Sequence, residues 1–428
     1  MNKFFVSLGL VAAGTASLQA AYTPEPTGGG NARAWSVSAT LRGFYDDNIN
    51  TASSGPNKQD SLGFEVSPTL EVAVPLQQTE LGLRYVYGLY YYQERQDLGQ
   101  TPIDQSHQLD LWMDHAFTER WRLKAQDSFR VGQEPELIDP NTSLPSRTKG
   151  NNIANTGTMT IGTDWTRLFS TELGYQNNFY DYQNSGADFS LGGSGASLSG
   201  ILDRIENSGW LDLQWHAMPQ TLVFVGYRFT QVNYTGNEQI TPAPFVYFSE
   251  IRDTRLHYGY VGLQHNFLPN LSVSARGGIQ YSDNYNDPNS TTSLGPYADL
   301  SATYTYLPGS YVQIGFTRQQ NATDIVAPDA SGHITQSQES STGYASINHK
   351  LNQRLVASLI GRVQYSTYNS GLYADQADTF YSAGLNLSYS ISDHFSADVG
   401  YNFDFLDSGI AGRDYKRNRI YLGVTASY

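Results

Sequence analysis

Eight histidines are the first candidates for catalysis or metal binding in this chain of 428 residues, which contains no cysteine. None belongs to the His-Glu-x-x-His pattern with which a helix holds zinc. The oxygen-rich run from Asp283 to Asp287 lacks the glycine and the distant glutamate of an EF-hand calcium loop. A serine hydrolase needs serine, histidine and an acid or amide together, and the sequence pairs no serine with His216 or His257. We therefore predict no catalytic residues, no metal, no cofactor and no enzyme activity.

Charged residues on successive segments form a second candidate site. Their signs alternate: residues 65 and 71 are acidic, residue 84 is basic, and residues 110 and 114 are acidic again. Facing a wide, water-filled interior, such a lining would orient and select hydrated solutes. The alternative is cross-strand ion pairing that only stabilises a wall, at about 0.2–1 kcal/mol per pair. The candidate lining residues are Glu65, Glu71, Arg84, Asp110, Asp114, Arg122, Lys124, Arg130 and Arg362.

The segments that carry these charges alternate apolar and polar residues. Every even position between 62 and 74 is apolar, for example, while positions 65 and 71 carry glutamate. A period of two over this length indicates a β-strand with one apolar face. If the next turn is centred on Gln77-Gln78, Glu71 lies opposite Arg84 and Leu70 lies opposite Tyr85. The register would place the charged pair inside and the apolar pair outside.

The connections between these segments alternate between short turns and long polar loops. Eight short turns and nine long loops can be assigned, which implies eighteen strands, with sixteen as the alternative. A large β-sandwich or β-helix would explain the alternation of residues but not this strict rotation. Strands of this length match the thickness of a membrane when they are tilted. We predict an all-β protein, a single transmembrane antiparallel up-and-down β-barrel with short periplasmic turns and long extracellular loops.

The composition agrees with a membrane barrel and argues against other classes. Charged residues make up 15% of the chain, well below the roughly one quarter of a soluble domain. Tyrosine occurs 31 times, as interfacial aromatic girdles require. The formal net charge of -14 argues against nucleic acid as a partner. After residue 20 no apolar run is long enough for a transmembrane helix.

The first residues predict export. A short basic start, an apolar run from Phe4 to Leu18 and small residues at 20 and 21 have the pattern of a signal peptide. We expect residues 1–20 to be cleaved, 21–33 to form a flexible periplasmic segment, and 34–428 to form the barrel in the outer membrane. Its surroundings would be outer-membrane lipid and lipopolysaccharide.

The last ten residues resemble the C-terminal insertion signal of bacterial outer-membrane barrels. Alternate residues of this segment are apolar, and its final residue is aromatic. The resemblance implies recognition by the barrel-assembly machinery. An unpaired apolar strand here would be prone to aggregation, so we expect it to close against the first strand, near 35–45. The signal residues are Ile420, Leu422, Val424, Ala426 and Tyr428.

The opening of the predicted barrel resembles the putative β-barrel porin-2 family. The first strand ends in Gly43-Phe44-Tyr45-Asp46-Asp47-Asn48-Ile49, and the next begins with Gly63-Phe64-Glu65-Val66-Ser67-Pro68. Some members of that family are encoded with exopolysaccharide assembly genes, which implies a possible export role. The resemblance implies no catalytic residues.

Three functions are consistent with these features. The first is a pore for diffusion of small hydrophilic solutes. The second is a barrel component of exopolysaccharide export, and the third is a structural or adhesive surface barrel with a plugged lumen. Conductance in a planar bilayer would separate the first from the third.

Overall fold

The computed structural model describes residues 34–53, 58–97, 99–132, 152–189, 195–289, 291–374 and 376–428. They contain one closed antiparallel sheet of eighteen strands, so the prediction of an eighteen-stranded β-barrel is confirmed. The predicted signal peptide at 1–20 and the segment at 21–33 lie outside the described residues and stay predictions.

Each strand pairs with the next along the chain, and long and short connections alternate. The first nine strands are β1 (Trp35–Asp46), β2 (Ser61–Pro75), β3 (Thr79–Tyr92), β4 (Ile103–Ala116), β5 (Trp121–Gly132), β6 (Asn152–Asp164), β7 (Phe169–Tyr182), β8 (Arg204–Met218) and β9 (Thr221–Tyr234). The second nine are β10 (Thr254–Leu268), β11 (Leu271–Asp283), β12 (Thr292–Leu307), β13 (Ser310–Asn321), β14 (Ser337–Lys350), β15 (Leu355–Asn369), β16 (Ala377–Ser390), β17 (Phe395–Ser408) and β18 (Tyr415–Ser427).

The barrel closes between β1 and β18, as the terminal apolar pattern predicts. Leu41 lies opposite Val424 in this pairing. Beyond the paired positions, the backbone N–H of Tyr428 donates to the carbonyl of Val37 at 2.9 Å. The rings of Trp35 and Tyr428 contact each other with centroids 5.7 Å apart. Closure removes the exposed sheet edges that would otherwise recruit other chains.

Alternate residues define an exterior and an interior face. Large apolar side chains are exposed on the exterior face, as Leu62 (60%) and Leu422 (66%) illustrate. Side chains of the opposite parity, such as Arg42 and Glu65, point inward and contact one another. The predicted register of the second hairpin is confirmed, since Glu71 pairs with Arg84, Leu70 with Tyr85 and Val72 with Leu83.

Glycines on the interior face allow aromatic rings to lie flat against the wall. Gly82 lies opposite Trp112, and a Cβ atom at this glycine would stand 1.8 Å from the indole Cε2. Gly174 lies opposite Trp210 in the same way, with 2.0 Å to the indole Cζ2. Tyr260 lies opposite Gly226 in the same way, with 2.3 Å from the Cβ position to the ring Cε2. The rings occupy the space of missing side chains, so they project less into the lumen.

Short helices occur only in the long connections of the described chain. They are α1 (Gln93–Asp97), α2 (Leu198–Leu202) and the 3-10 helix Ser249–Arg252. Ser197 caps α2 by accepting a hydrogen bond from the N–H of Gly200. Within the described residues, no helix has the length and apolar character needed to cross a membrane.

Candidate functional site

Several of the candidate lining residues, which we call the charge ladder, lie on β2, β3 and β4. Arg84 lies directly between Glu71 and Asp110 on the interior face. Among the described residues, Arg84 forms no ion pair with either carboxylate, and its Nε atom is buried without a hydrogen-bond partner. The register brings the three charges side by side but does not neutralise them. Asp110 instead accepts hydrogen bonds from Gln108 and Ser128, both at 2.7 Å.

The remaining ladder residues fall into an exposed group and a buried group. Near the short turns, Asp114 and Lys124 are 3.9 Å apart, and their side chains stay 45% and 41% exposed. Arg122 lies on the same strand as Lys124 and is also exposed. Arg130 lies opposite Gln108 farther along β5. Arg362 is buried and donates to Gln364.

A dense network of ion pairs joins the strands at the closure. Arg42 contacts Asp398 at 2.9 Å and Glu65 at 3.7 Å, which connects β1 with β17 and β2. At the long-loop end, the fully buried Asp46 accepts from Arg417 at 2.6 Å and from Arg419 at 3.1 Å. These carboxylates are matched by guanidinium groups, so this part of the ladder stabilises the wall. Glu65 belongs to it.

The segment that carries the family resemblance builds this same region. The side chain of Asn48 donates to the carbonyls of Ala52 and Lys416. Asp47 accepts from the backbone and side chain of Asn418 on β18. Ile49 is completely buried. The Asp-Asp-Asn-Ile segment therefore anchors the first long loop to the last strand.

The wall formed by β8 to β12 carries aromatic rings and arginines. The guanidinium of Arg228 lies 5.3 Å from the ring centroid of Trp210, its cross-strand neighbour. That of Arg276 lies 4.8 Å from the ring of Tyr260 and 5.3 Å from that of Phe224. The three rings are almost completely buried. The candidate lining residues predicted from the sequence did not include this wall. Alternation along the assigned strands would nevertheless have placed these residues on the interior face.

Three long loops pack together at the long-loop end and form a structure that we call the loop cap: residues 183–189 with 195–203, 235–253, and 322–336. Its centre is Arg252, which is completely buried. Its guanidinium donates to the carbonyls of Ile201 at 2.7 Å, Thr323 at 2.8 Å and Gln336 at 3.2 Å. Adjacent strands are about 4.8 Å apart, so β8 and β13 are separated by roughly 24 Å along the wall. The loops must leave the wall to meet.

Apolar packing and a second arginine complete the loop cap. Tyr182, Ile201, Leu202, Ile240, Ile251 and Ile334 form one buried cluster contributed by all three loops and the end of β7. Arg413, between β17 and β18, forms a bidentate pair with Asp324 at 2.8 Å and contacts Asp378 at 2.8 Å. The described part of the long-loop mouth is thus an ordered structure that spans several strands.

Burial and neighbouring charges shift the pKa values of groups in and beside the loop cap. Burial lowers the pKa of Arg252, and the neighbouring Arg204 lowers it further. Burial raises the pKa of Asp253, although its carboxylate accepts from the backbone N–H of Tyr234 at 2.7 Å. Burial would lower the pKa of Arg413, but the adjacent Asp324 raises it well above the ordinary value.

One serine and one histidine meet on the interior face, which the sequence did not reveal. Ser170 Oγ and His216 Nε2 are 2.9 Å apart across β7 and β8. The hydroxyl is also 2.9 Å from the Gln214 Oε1, which competes for its proton. Among the described residues no carboxylate or amide is recorded at the other ring nitrogen of His216, so the pair lacks the orienting group of a triad. The described residues also contain no cluster suited to a metal ion.

Comparison with known proteins gave one family and a set of distant folds. The family described as Putative beta-barrel porin 2 matches residues 36–428. No curated protein matches the chain. The structure of OccAB4 from Acinetobacter baumannii is 11% identical with a TM-score of 0.44, and covers 92% of this chain and 99% of its own. OccK3 (OpdO) from Pseudomonas aeruginosa is 13% identical with a TM-score of 0.41, and covers 92% and 96%. A mutant of the ferric enterobactin receptor (PfeA) from Pseudomonas aeruginosa is 9% identical with a TM-score of 0.44, and covers 92% and 80%.

Proposed function

Because the chain belongs to the Putative beta-barrel porin 2 family, we propose that it is an outer-membrane pore through which small hydrophilic solutes diffuse. The observation that carries this proposal is the exposure of charged side chains on the interior face. Asp114 and Lys124 are 45% and 41% exposed there. Ionised groups are costly to hold in a packed, dry interior, whereas a hydrated lumen accommodates them.

The proposed pore has a periplasmic and an extracellular mouth. We assign the short turns to the periplasm and the long loops to the cell surface, the usual asymmetry of such barrels. The chain would be exported by a cleaved signal peptide at 1–20. The barrel-assembly machinery would insert it by way of the terminal strand, including Tyr428. The loop cap would then lie on the cell surface and restrict access from outside.

Single-channel recording of the purified full chain tests this function. Discrete conductance steps in a planar bilayer are expected, together with a selectivity that depends on interior charges such as Arg84. Reconstituted protein that runs as a folded barrel yet produces no current would contradict a diffusion pore. The same measurement on Arg252→Met, which weakens the loop cap, distinguishes two causes of a missing current. Current in the variant would indicate a closed mouth, whereas no current would indicate a filled interior.

A second candidate function is a structural surface barrel with a plugged lumen. The specific observation in its favour is the loop cap, whose central Arg252 is held by three backbone carbonyls. This candidate predicts no conductance for the wild-type chain and the appearance of current in Arg252→Met. Equal conductance in both proteins would count against it.

A further inference from the structure

We infer that Arg228 and Arg276 form an anion-binding station on the interior wall, which takes solutes that carry an oxyanion group such as a carboxylate or a phosphate. This rests on the proposed function in one respect, since the lumen must be the path of the solute. Binding itself can be measured without any current. Neither residue is among the candidate lining residues predicted from the sequence, and the family assignment does not indicate them.

The first support is that several interior arginines of the described chain already have carboxylate partners. Arg42 is paired with Asp398 and Glu65, and Arg417 with Asp46. The described residues provide neither Arg228 nor Arg276 with an ion pair, a property that they share with Arg84. The chain has 40 acidic and 26 basic residues, so the lack of partners does not arise from a shortage of carboxylates.

The second support is the way in which aromatic rings hold the two guanidinium groups. Trp210 lies 5.3 Å from Arg228, and Tyr260 lies 4.8 Å from Arg276. A cation–π contact uses the face of a guanidinium. It leaves the N–H edge, which is the part that binds a carboxylate or phosphate in a bidentate manner. On Arg276, part of this edge already donates to the hydroxyl of Tyr297.

The third support is position. Arg228 and Arg276 lie on β9 and β11, with Tyr258 and Tyr260 on the strand between them. Tyr260 donates to the Asp212 Oδ1 at 2.7 Å, so this hydroxyl is already engaged by that carboxylate. Asp299 lies opposite Arg276 on β12, but the two form no ion pair, so both arginines keep N–H groups for an incoming anion.

Ligand-observed NMR tests the inference on the full chain in detergent micelles at constant ionic strength. The probes are benzoate, observed by proton relaxation, and inorganic phosphate, observed by phosphorus relaxation. Each should relax faster in the presence of the wild-type protein. Arg228→Gln together with Arg276→Gln should weaken binding at least about tenfold, the loss that follows from removing a charge-assisted hydrogen bond. Binding of benzoate alone identifies a carboxylate station, and binding of phosphate alone a phosphate station.

Arg255→Gln is the matched control, because it removes the same charge and the same kind of contact on the exterior. Its guanidinium lies 4.1 Å from the ring of Tyr285, and its strand position belongs to the exterior parity. Anion binding should be unchanged in this variant. Arg228→Lys keeps the charge without the planar edge, so it should bind more weakly than the wild type even if the glutamine variants fail to fold.

Several results would overturn the inference: no binding of either anion by the wild type, wild-type binding by the double variant, or an equal loss in Arg255→Gln. Conductance without anion binding would refute this station and leave the pore intact. Anion binding without conductance would support the station and refute only the proposed diffusion pore.

Discussion

Replacement of Arg252 by methionine should loosen the loop cap without unfolding the barrel. The wild-type guanidinium supplies donors to three buried carbonyls, on Ile201, Thr323 and Gln336. A buried acceptor that loses its donor costs about 1–3 kcal/mol, so three of them would cost roughly 3–9 kcal/mol. The methionine variant also removes a buried charge, whose desolvation opposes folding. We therefore expect the lower end, about 3 kcal/mol, which is roughly a 100-fold increase in the opening equilibrium of the loop cap.

Native-state hydrogen exchange, read by mass spectrometry, measures this opening directly. Peptides from all three loops should exchange roughly 100-fold faster if exchange follows local opening. The amides of the strands should be unaffected, because their ladder bonds do not involve Arg252. Arg255→Met is the control, since it removes an arginine three positions farther along the chain, on the exterior face, and should leave the exchange of all three loops as in the wild type.

Two outcomes would refute the reasoning. If exchange increases in only one loop, Arg252 does not hold the three loops as one unit. If the loops of Arg252→Met exchange like those of the control, the three hydrogen bonds do not limit opening. Single-channel records of the two variants provide an independent measurement, in which only Arg252→Met should show longer or larger openings.

Three further predictions concern selectivity, topology and assembly. Arg84→Leu should fold normally and shift the reversal potential in a salt gradient toward cation selectivity, because Glu71 is left without a nearby cation; an unchanged potential would show that Arg84 does not line an open pore. The chain has no cysteine, so a cysteine placed at Ala330 should be labelled on intact cells by an impermeant maleimide while one at Gln353 should not; the reverse pattern would invert the assigned orientation. Deletion of Tyr428 should leave most of the protein unassembled in the periplasm, and normal levels of heat-modifiable protein in the outer membrane would argue against its role in insertion.

Much of the fold was predictable because strand periodicity is a local property of the chain. The apolar residues at even positions from 62 to 74 place one face of β2 outside, and the same parity places Glu71 inside. The short turn after β2 then determines its register with β3, because few residues separate the two strands. The pairing of Glu71 with Arg84 follows from these two local facts. The alternation of short and long connections similarly predicted eighteen strands.

Which charges remain available inside the barrel was not predictable in this way. Register places Arg84 between two carboxylates, yet only the side-chain conformations show that no ion pair forms there. Glu65, in contrast, is matched by Arg42 on β1. Arg417 and its partner Asp46 lie near opposite ends of the chain, 371 residues apart. Such pairs depend on side-chain conformations across the closed barrel, which no local pattern specifies.

The sequence by itself predicted the strands and their two faces, favoured eighteen strands over sixteen, and predicted the register of the second hairpin, because each depends on residues close together in the chain. Only the tertiary structure decided what the long loops do and which interior arginines are unpaired. Arg252 is held by carbonyls 51, 71 and 84 residues away, and the loop sequences have no periodicity from which such contacts could be inferred. Packing across the mouth of a closed barrel brings those groups together, and burial then makes every unmatched donor or acceptor costly.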